Sequence, residues 1–390
     1  MNDIEALRPQ FDRIQSRAFY VGVGGLTLLM IGAFISTHEF FRSYLYGYVF
    51  WAGLTLGCLG ILLLHHLVSG HWGNVIQRMV ESGSRMMLPM AVLFIPILIG
   101  LHDLYPWADH SYVEASHTVH KKAGYLNIPF FIVRAVLYFG LWTVAAFLLS
   151  NWSLLQDRTA DPTITRKMRI FSGPALAGFV LTVSFASVDW LMSLEPEWYS
   201  SIYGMLIIVG AVLTTLAFCI VLLFLLGNRE PLSEVLTTRH YHHLGNLLMA
   251  FTILWAYMAF SQFLIIWSGN LPEDNFWYIR RIGTGWNIVA VVLLIGHFFV
   301  PFLLLLSRKS KRVIGNLALI AGGLLVMRLV DLFWLIMPAF TQGEVRFHWL
   351  DIVAPVGIGG IWISLFIQQL KNNPLLPLHD PRFEGTAEMH

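Results

Sequence analysis

Charge is scarce in this sequence. Only 12% of its 390 residues are Asp, Glu, Lys or Arg, about half the share a soluble domain uses to face water. With 56% hydrophobic residues and a mean hydropathy of +0.65, that shortage excludes an ordinary water-soluble globule and points to a polytopic membrane protein. The net charge of +2 is too small to suggest nucleic acid or another anionic partner. Cysteine is also nearly absent. Cys58 and Cys219 stand alone within apolar runs, which excludes a disulfide framework, a zinc site and an attached c-type haem. No low-complexity tract, linker or clear internal repeat interrupts the chain.

Long apolar runs fill the space that charge leaves. A membrane-spanning helix needs about 20 predominantly apolar residues, and that ruler predicts ten spans, at 18–37, 44–67, 85–104, 129–150, 170–190, 200–226, 244–267, 286–306, 313–339 and 350–369. The sequence therefore predicts an all-α integral membrane protein with a single polytopic domain. Acids and bases are mixed in MNDIEALRPQFDRIQSRAF, and no small-residue cleavage site follows the first apolar run, so that run reads as a retained helix and not a signal peptide. The Lys and Arg residues divide unevenly, about three to one, in favour of the loops on the side of the N-terminus, which places both termini in the cytoplasm. Outer loops such as LYPWADHSY (104–112), EPEWYSSIY (195–203) and NFWYIRR (275–281) collect the Trp and Tyr expected of an interfacial belt. The longest of them also carries His110, His117 and His120.

Against this background, ionisable residues inside spans are the informative ones. A charge at the centre of a span costs on the order of 2.5–3.5 kcal/mol on insertion scales and usually faces a bundle interior or cavity. The segment LLVMRLVDLFWL (324–335) places Arg328 and Asp331 three residues apart, on one helical face, where they can pair. Arg134, Asp189 and the His102–Asp103 pair join them in the outer half, with Asp351 at the start of the last span and His297 near the middle of the eighth. Asp351 is expected to be interfacial or capping, as are His65 and His66 at the inner end of the second span. A set of outer-half charges on several different helices is harder to explain by anchoring alone. In helix 7, Tyr257 and Ser261 lie four apart and Gln262 follows; such hydroxyls can pass protons or bond a quinone oxygen, although bonding a neighbouring helix is their commoner use. Haem b is not expected, because no two histidines face each other at one depth. Nor is a metal expected at RHYHHLGN (239–246), which has no acid or Cys beside its histidines. The glycines of GVGG (22–25), with Gly53, Gly57 and Gly60, read as sites of close helix packing.

Several segments also resemble one family. FSGPALAGFVLTVSFASVDWLMSLEPEWYSSIYG (171–204), WAYMAFSQFLIIWSGNLPEDNFWYIRR (255–281), GWNIVAVVLLIGHFFVPFLLLLSR (285–308) and RLVDLFWLIMPAF (328–340) are similar to the NrfD-like membrane subunits, specifically the smaller, ActF-type subunit of alternative complex III, a bacterial quinol:cytochrome c oxidoreductase. The likeness covers most of 171–340 and is looser in the N-terminal half. It implies two four-helix bundles, helices 2–5 and 6–9, flanked by helices 1 and 10, in the bacterial inner membrane. It implies no redox cofactor on this chain; iron–sulfur clusters and haem c would be carried by partners. Those partners would be a larger paralogous membrane subunit, a periplasmic iron–sulfur protein, multihaem and monohaem cytochromes c and a terminal cytochrome oxidase, with quinol or menaquinol as substrate and lipids around the spans. On that reading His102 and Asp103 accept quinol protons. Asp189 and Asp331 relay protons beside the counter-charges Arg134 and Arg328, and Tyr257, Ser261, His297 and Asp351 belong to the path. The alternatives are a proton-coupled secondary transporter, for which matching Gly/Pro-broken spans in two halves would be needed and are not found, and a purely structural scaffold subunit.

Overall fold

A computed structural model describes residues 3–282, 285–341, 344–377 and 379–380. Ten helices are long and apolar enough to cross a membrane: α1 (Leu7–Ile35), α2 (Thr37–Val68), α3 (Gln77–Ile99), α4 (Ile128–Thr159), α5 (Thr163–Leu194), α6 (Tyr203–Leu226), α7 (Thr238–Gly269), α8 (Trp286–Leu306), α9 (Ile314–Ala339) and α10 (Leu350–Lys371). No strand forms among the described residues, as expected where backbone groups in hydrocarbon must be satisfied within their own segment. The face where α1 ends and α2 begins is called outer below, after the distribution of basic residues.

Helices α2 and α6 form the axis of the molecule. In each, 83% of the most apolar window is buried within the protein, against 17% in α1. α2 packs on α3, α5, α6 and α10; α6 packs on α5, α7 and α9; α8 closes against α7 and α9, and α4 against α3 and α5. α1 lies along α10 and leaves most of its surface outward. Two glycines explain that contact. A Cβ on Gly22 would stand 2.5 Å from the Ile361 nitrogen, and one on Gly25 would stand 2.4 Å from Gly357 Cα. The two backbones thus approach as closely as only small residues allow. Of the second group of glycines, Gly57 and Gly60 also meet neighbouring helices, whereas Gly53 faces open space.

The third span departs from its predicted limits, and the departure matters for function. It begins at Gln77, eight residues before the expected start at 85, and ends at Ile99, five before the expected end at 104. Its first turns, QRMVESGS, are too polar for a hydropathy ruler, yet every one of these residues is buried. Their charges are neutralised inside the protein, as described below, so they need not face lipid at all. Its outer part is broken near Phe94, and beyond Gly100 only the short turn Leu101–Leu104 follows. Gly100 lies against the Phe41 ring, which a Cβ would approach to 2.2 Å.

Candidate functional site

Two hydrogen-bonded Arg–Asp pairs lie in the outer half, one between α4 and α5 and one on α9 beside α7. The first joins α4 to α5. Asn127 caps α4, accepting a hydrogen bond from Phe130 N at 3.0 Å, and this start places Arg134 on the buried face two turns in. Arg134 Nε donates to Asp189 Oδ2 at 2.8 Å, Nη2 to Asp189 Oδ1 at 2.9 Å and Nη1 to the Tyr125 carbonyl at 2.9 Å. Tyr138 donates its hydroxyl to Asp189 Oδ2 at 2.9 Å. The guanidinium also lies over the rings of Tyr125, 3.9 Å away, and Phe130, 4.3 Å away. Every nitrogen of the fork has a partner and the carboxylate has three bonds. Bidentate geometry and full satisfaction make this a closed structural joint. Outside the spans, burial and then the Asp189 charge push the Tyr125 phenol well above its usual range.

The second pair is built differently. Arg328 Nη1 donates to Asp331 Oδ2 within one turn of α9, and Trp255 Nε1 from α7 donates to the same oxygen at 3.2 Å. Both bonds fall on Oδ2. Room for the guanidinium comes from Gly210 on α6, where a Cβ would lie 2.4 Å from Arg328 Cζ. On the other side of Trp255, 4.0 Å away between ring centroids, lies the imidazole of His297. It is fully buried, and neither ring nitrogen has a hydrogen-bond partner. His297 sits in a π-helical segment, Leu294–Phe299. Such segments insert one extra residue in a helix and recur at functional sites.

Beside this pair is a cavity of about 420 Å³, within the range of small-molecule sites. It lies between α7, α8 and α9, and its wall includes Trp255, Gln262, Tyr278, Leu294, Phe298 and Asp331. The space exists because the facing residues are small: Ala256 and Ala259 on α7, Ala290 on α8. Its rim includes Phe260, Val291 and Leu294, exposed side chains on the outside of α7 and α8. The cavity therefore opens sideways toward the hydrocarbon.

An outer lid, which the sequence shows only as an aromatic belt, borders the cavity through Tyr278 and Arg281. Arg281 is completely buried. It donates to Glu195 Oε2 at 3.1 Å and to the carbonyls of Trp277, Trp334 and Leu335 at 2.7, 3.3 and 3.1 Å. Its guanidinium also lies 3.6 Å over the Trp277 ring. Arg280 reaches Glu195 Oε1 at 3.0 Å, and Trp198 stacks on Trp277 at 4.6 Å. The loops before α6 and α8 are thereby tied to the end of α9. Burial draws the Arg281 pKa down, and Glu195 opposes that shift. Burial raises the Tyr278 phenol to about 12, with the Gln262 hydrogen bond and the Arg281 charge acting against it. The sequence signal is two consecutive arginines beside a Trp–Tyr pair, facing a loop with two glutamates, Glu195 and Glu197, of which Glu195 is the one that pairs.

The remaining predicted residues separate from this site. His102 and Asp103 lie beyond the end of α3, on a short turn whose buried side is Leu101 and Leu104, and both are exposed. They do not belong to the buried set, because the span starts earlier and ends earlier than its hydropathy suggests. Tyr257 is 62% exposed and faces away from Asp331, and Ser261 is half-buried on the same side. The inward face of α7 carries Trp255 and Gln262 instead. Asp351 is a cap: it accepts from Ser43 Oγ at 2.5 Å and His348 N at 2.8 Å, with Arg42 at 3.8 Å. In the 239–246 segment, His240 Nδ1 closes a capping box with Thr237 at the start of α7, and His242 contacts Asn246. Among the described residues no group of three or more His, Cys, Asp or Glu side chains is placed to hold a metal ion.

No protein-family model matches the chain, and no curated protein sequence does either.

At the inner end a further polar cluster forms from His65 at the end of the second predicted span and from residues that read in sequence as loop. Arg78 binds Glu81 Oε2 at 2.6 Å, Ser153 Oγ at 3.0 Å and the Asp157 carboxylate. Gln77 donates to Glu81 and Ser153 at 2.9 and 3.0 Å and lies 3.3 Å from His65. This cluster is what lets the polar start of α3 enter the bundle. It joins α2, α3 and α4 through groups that are all buried or nearly so.

Chemically, then, the joint at Arg134 is saturated and can do little but hold helices. The site at Asp331 is a buried carboxylate, anchored on one oxygen, at the wall of a lipid-facing cavity. That arrangement can accept a hydrogen bond from a membrane-soluble ligand and exchange a proton with it.

Proposed function

We propose that this chain is an integral membrane subunit of a quinol:cytochrome c oxidoreductase of the alternative complex III type, contributing an outer-side quinol site, a proton-transfer path, or both. The observation that carries this reading is Asp331, a buried carboxylate in the outer half of α9 that lines a cavity open to lipid. Ionisable groups so placed mark substrate or proton pathways by default. The helices are taken to form two four-helix bundles, α2–α5 and α6–α9, flanked by α1 and α10; the packing of α2 with α3 and α5, and of α6 with α7 and α9, supports that arrangement.

On this reading the protein resides in the bacterial cytoplasmic membrane with both termini inside. It works beside a larger paralogous membrane subunit, an iron–sulfur protein and cytochromes c, with a terminal cytochrome oxidase receiving electrons further on. Electrons from quinol leave to the clusters and haems of those partners, and its protons leave toward the outer face. The roles proposed for His102 and Asp103 pass to Asp331, whose burial suits them better. Isolation of the tagged chain from its native membranes under mild detergent tests the assignment. Co-isolated polypeptides with c-type haem absorbance are expected; a chain that is recovered alone, with no haem spectrum, overturns it.

A further inference from the structure

We infer that the cavity between α7, α8 and α9 is a binding site for the reduced form of an isoprenoid quinone, with the ring held between Asp331 at one end and the Gln262–Tyr278 pair at the other. This rests on the functional reading above and adds a place, a pose and a preference for one redox state.

The polar groups sit at two levels. Trp255 and Gln262 share the inward face of α7 seven residues apart, about 10 Å along the helix axis. Trp255 marks the level of Asp331, to which it is bonded. A para-quinol has its two oxygens about 5.5 Å apart; adding a hydrogen bond of about 2.8 Å at each end gives about 11 Å. The spacing suits one ring. The walls between the two levels are apolar and aromatic, and the rim at Phe260, Val291 and Leu294 gives an isoprenoid tail a direct exit into hydrocarbon.

The redox preference follows from donor and acceptor types. Asp331 is paired with Arg328 and takes both of its protein hydrogen bonds on Oδ2. What such a carboxylate can offer a ligand is acceptance at Oδ1. A quinol hydroxyl donates to it; a quinone carbonyl, itself an acceptor, faces it with lone pair against lone pair. At the far end Gln262 Oε1 already accepts from Ser200 Oγ at 3.1 Å. One of its amide N–H groups is bonded to the Tyr278 oxygen; the other N–H and the Tyr278 O–H are the donors left, and they serve a hydroxyl or a carbonyl oxygen alike. Recognition therefore discriminates at the Asp331 end.

The test uses the full chain in phospholipid nanodiscs, titrated with a short-chain ubiquinol and with the same molecule oxidised, and read by quenching of tryptophan fluorescence. The expected result is a Kd at least tenfold lower for the quinol. Gln262→Leu is expected to weaken binding of both forms about tenfold, and Ala290→Phe, which fills the cavity without touching a polar group, to abolish it. Thermal unfolding verifies that each variant is folded. Equal affinity for both redox states overturns the preference. Binding unchanged in both Gln262→Leu and Ala290→Phe overturns the site. Phospholipid that co-extracts with the chain, is lost in Ala290→Phe and is not displaced by quinol makes the cavity a lipid site instead. Complex membership is read separately from co-isolated haem: partners present with binding unaffected by the variants leaves the subunit reading intact and removes the cavity assignment. Partners absent with variant-sensitive quinol binding does the reverse.

Discussion

Gly210→Ala separates two arguments of opposite sign. On helix propensity alone the change adds about 1 kcal/mol of stability, because alanine is the better helix former. The structure predicts the opposite. The new methyl would lie 2.4 Å from Arg328 Cζ and Nη1, a distance that forces the guanidinium to move. Arg328 is at the flexible end of a long side chain, but it is held by Asp331 and has 4% of its surface exposed. Moving it opens a buried ion pair, and breaking such a pair costs about 3–5 kcal/mol because one charge is left uncompensated. Subtracting the propensity gain leaves a net loss of roughly 2–4 kcal/mol. Equilibrium unfolding of the purified chain in mixed micelles measures it. The control is a background in which Arg328 and Asp331 are both replaced by Met and Leu. There the pair is gone, the space is occupied by a neutral side chain that can move, and the penalty of Gly210→Ala is expected to shrink to about 1 kcal/mol or change sign. A stabilised Gly210→Ala in the native background refutes the claim that Gly210 exists to house Arg328.

Three further outcomes are expected. Tyr138→Phe removes one hydrogen bond to a charged acceptor and should cost about 1.5–3 kcal/mol, whereas Arg134→Met leaves Asp189 buried and unpaired and should cost about 3–5 kcal/mol by the same unfolding assay; equal effects would contradict the closed-joint description. His102→Asn and Asp103→Asn should each change stability by less than about 0.5 kcal/mol and leave quinol binding unaltered, since both side chains are exposed away from the cavity; lost binding in either restores them as site residues. Asp161, outside the spans, accepts from Thr163 N and Oγ1 at 2.9 and 2.8 Å, which lowers its pKa. A depressed carboxylate contributes stability that is present above its unfolded pKa and lost as pH falls through the folded one, so the Thr163 amide should exchange faster as the solution is acidified through the carboxylate range. A pH-independent protection of that amide, beyond the intrinsic rate, would count against the bond.

Much of the architecture was legible because hydrophobicity in a membrane protein is read over 20 residues at a time, and errors of a few residues average out. Ten apolar runs predicted ten helices. Glycines at 22 and 25 predicted a close helix contact, and Arg328 with Asp331, three apart on one face, predicted an ion pair. The failures share a cause. The polar start of α3 reads as loop because Gln77, Arg78 and Glu81 look hostile to a bilayer, and no local pattern reveals that Ser153 and Asp157, some 75 residues later, pair with them. The same error of register put His102 and Asp103 inside a span. On α7 the hydroxyls of Tyr257 and Ser261 drew attention to the outward face, while Trp255 and Gln262, less conspicuous by type, occupy the inward one.

The solvent, the number of spanning helices and which of them carry charge follow from the linear sequence, because those properties depend on composition summed along the chain. Which charges are saturated and which face a cavity depends on the packing of distant segments. Arg134–Asp189 and Arg328–Asp331 are similar in composition, and both are pairs of opposite sign in apolar helices. What distinguishes them is the number of partners that other helices bring to each carboxylate, and whether three alanines leave space beside it. Those are matters of three-dimensional neighbourhood, set by how helices pack, and a linear pattern does not contain them.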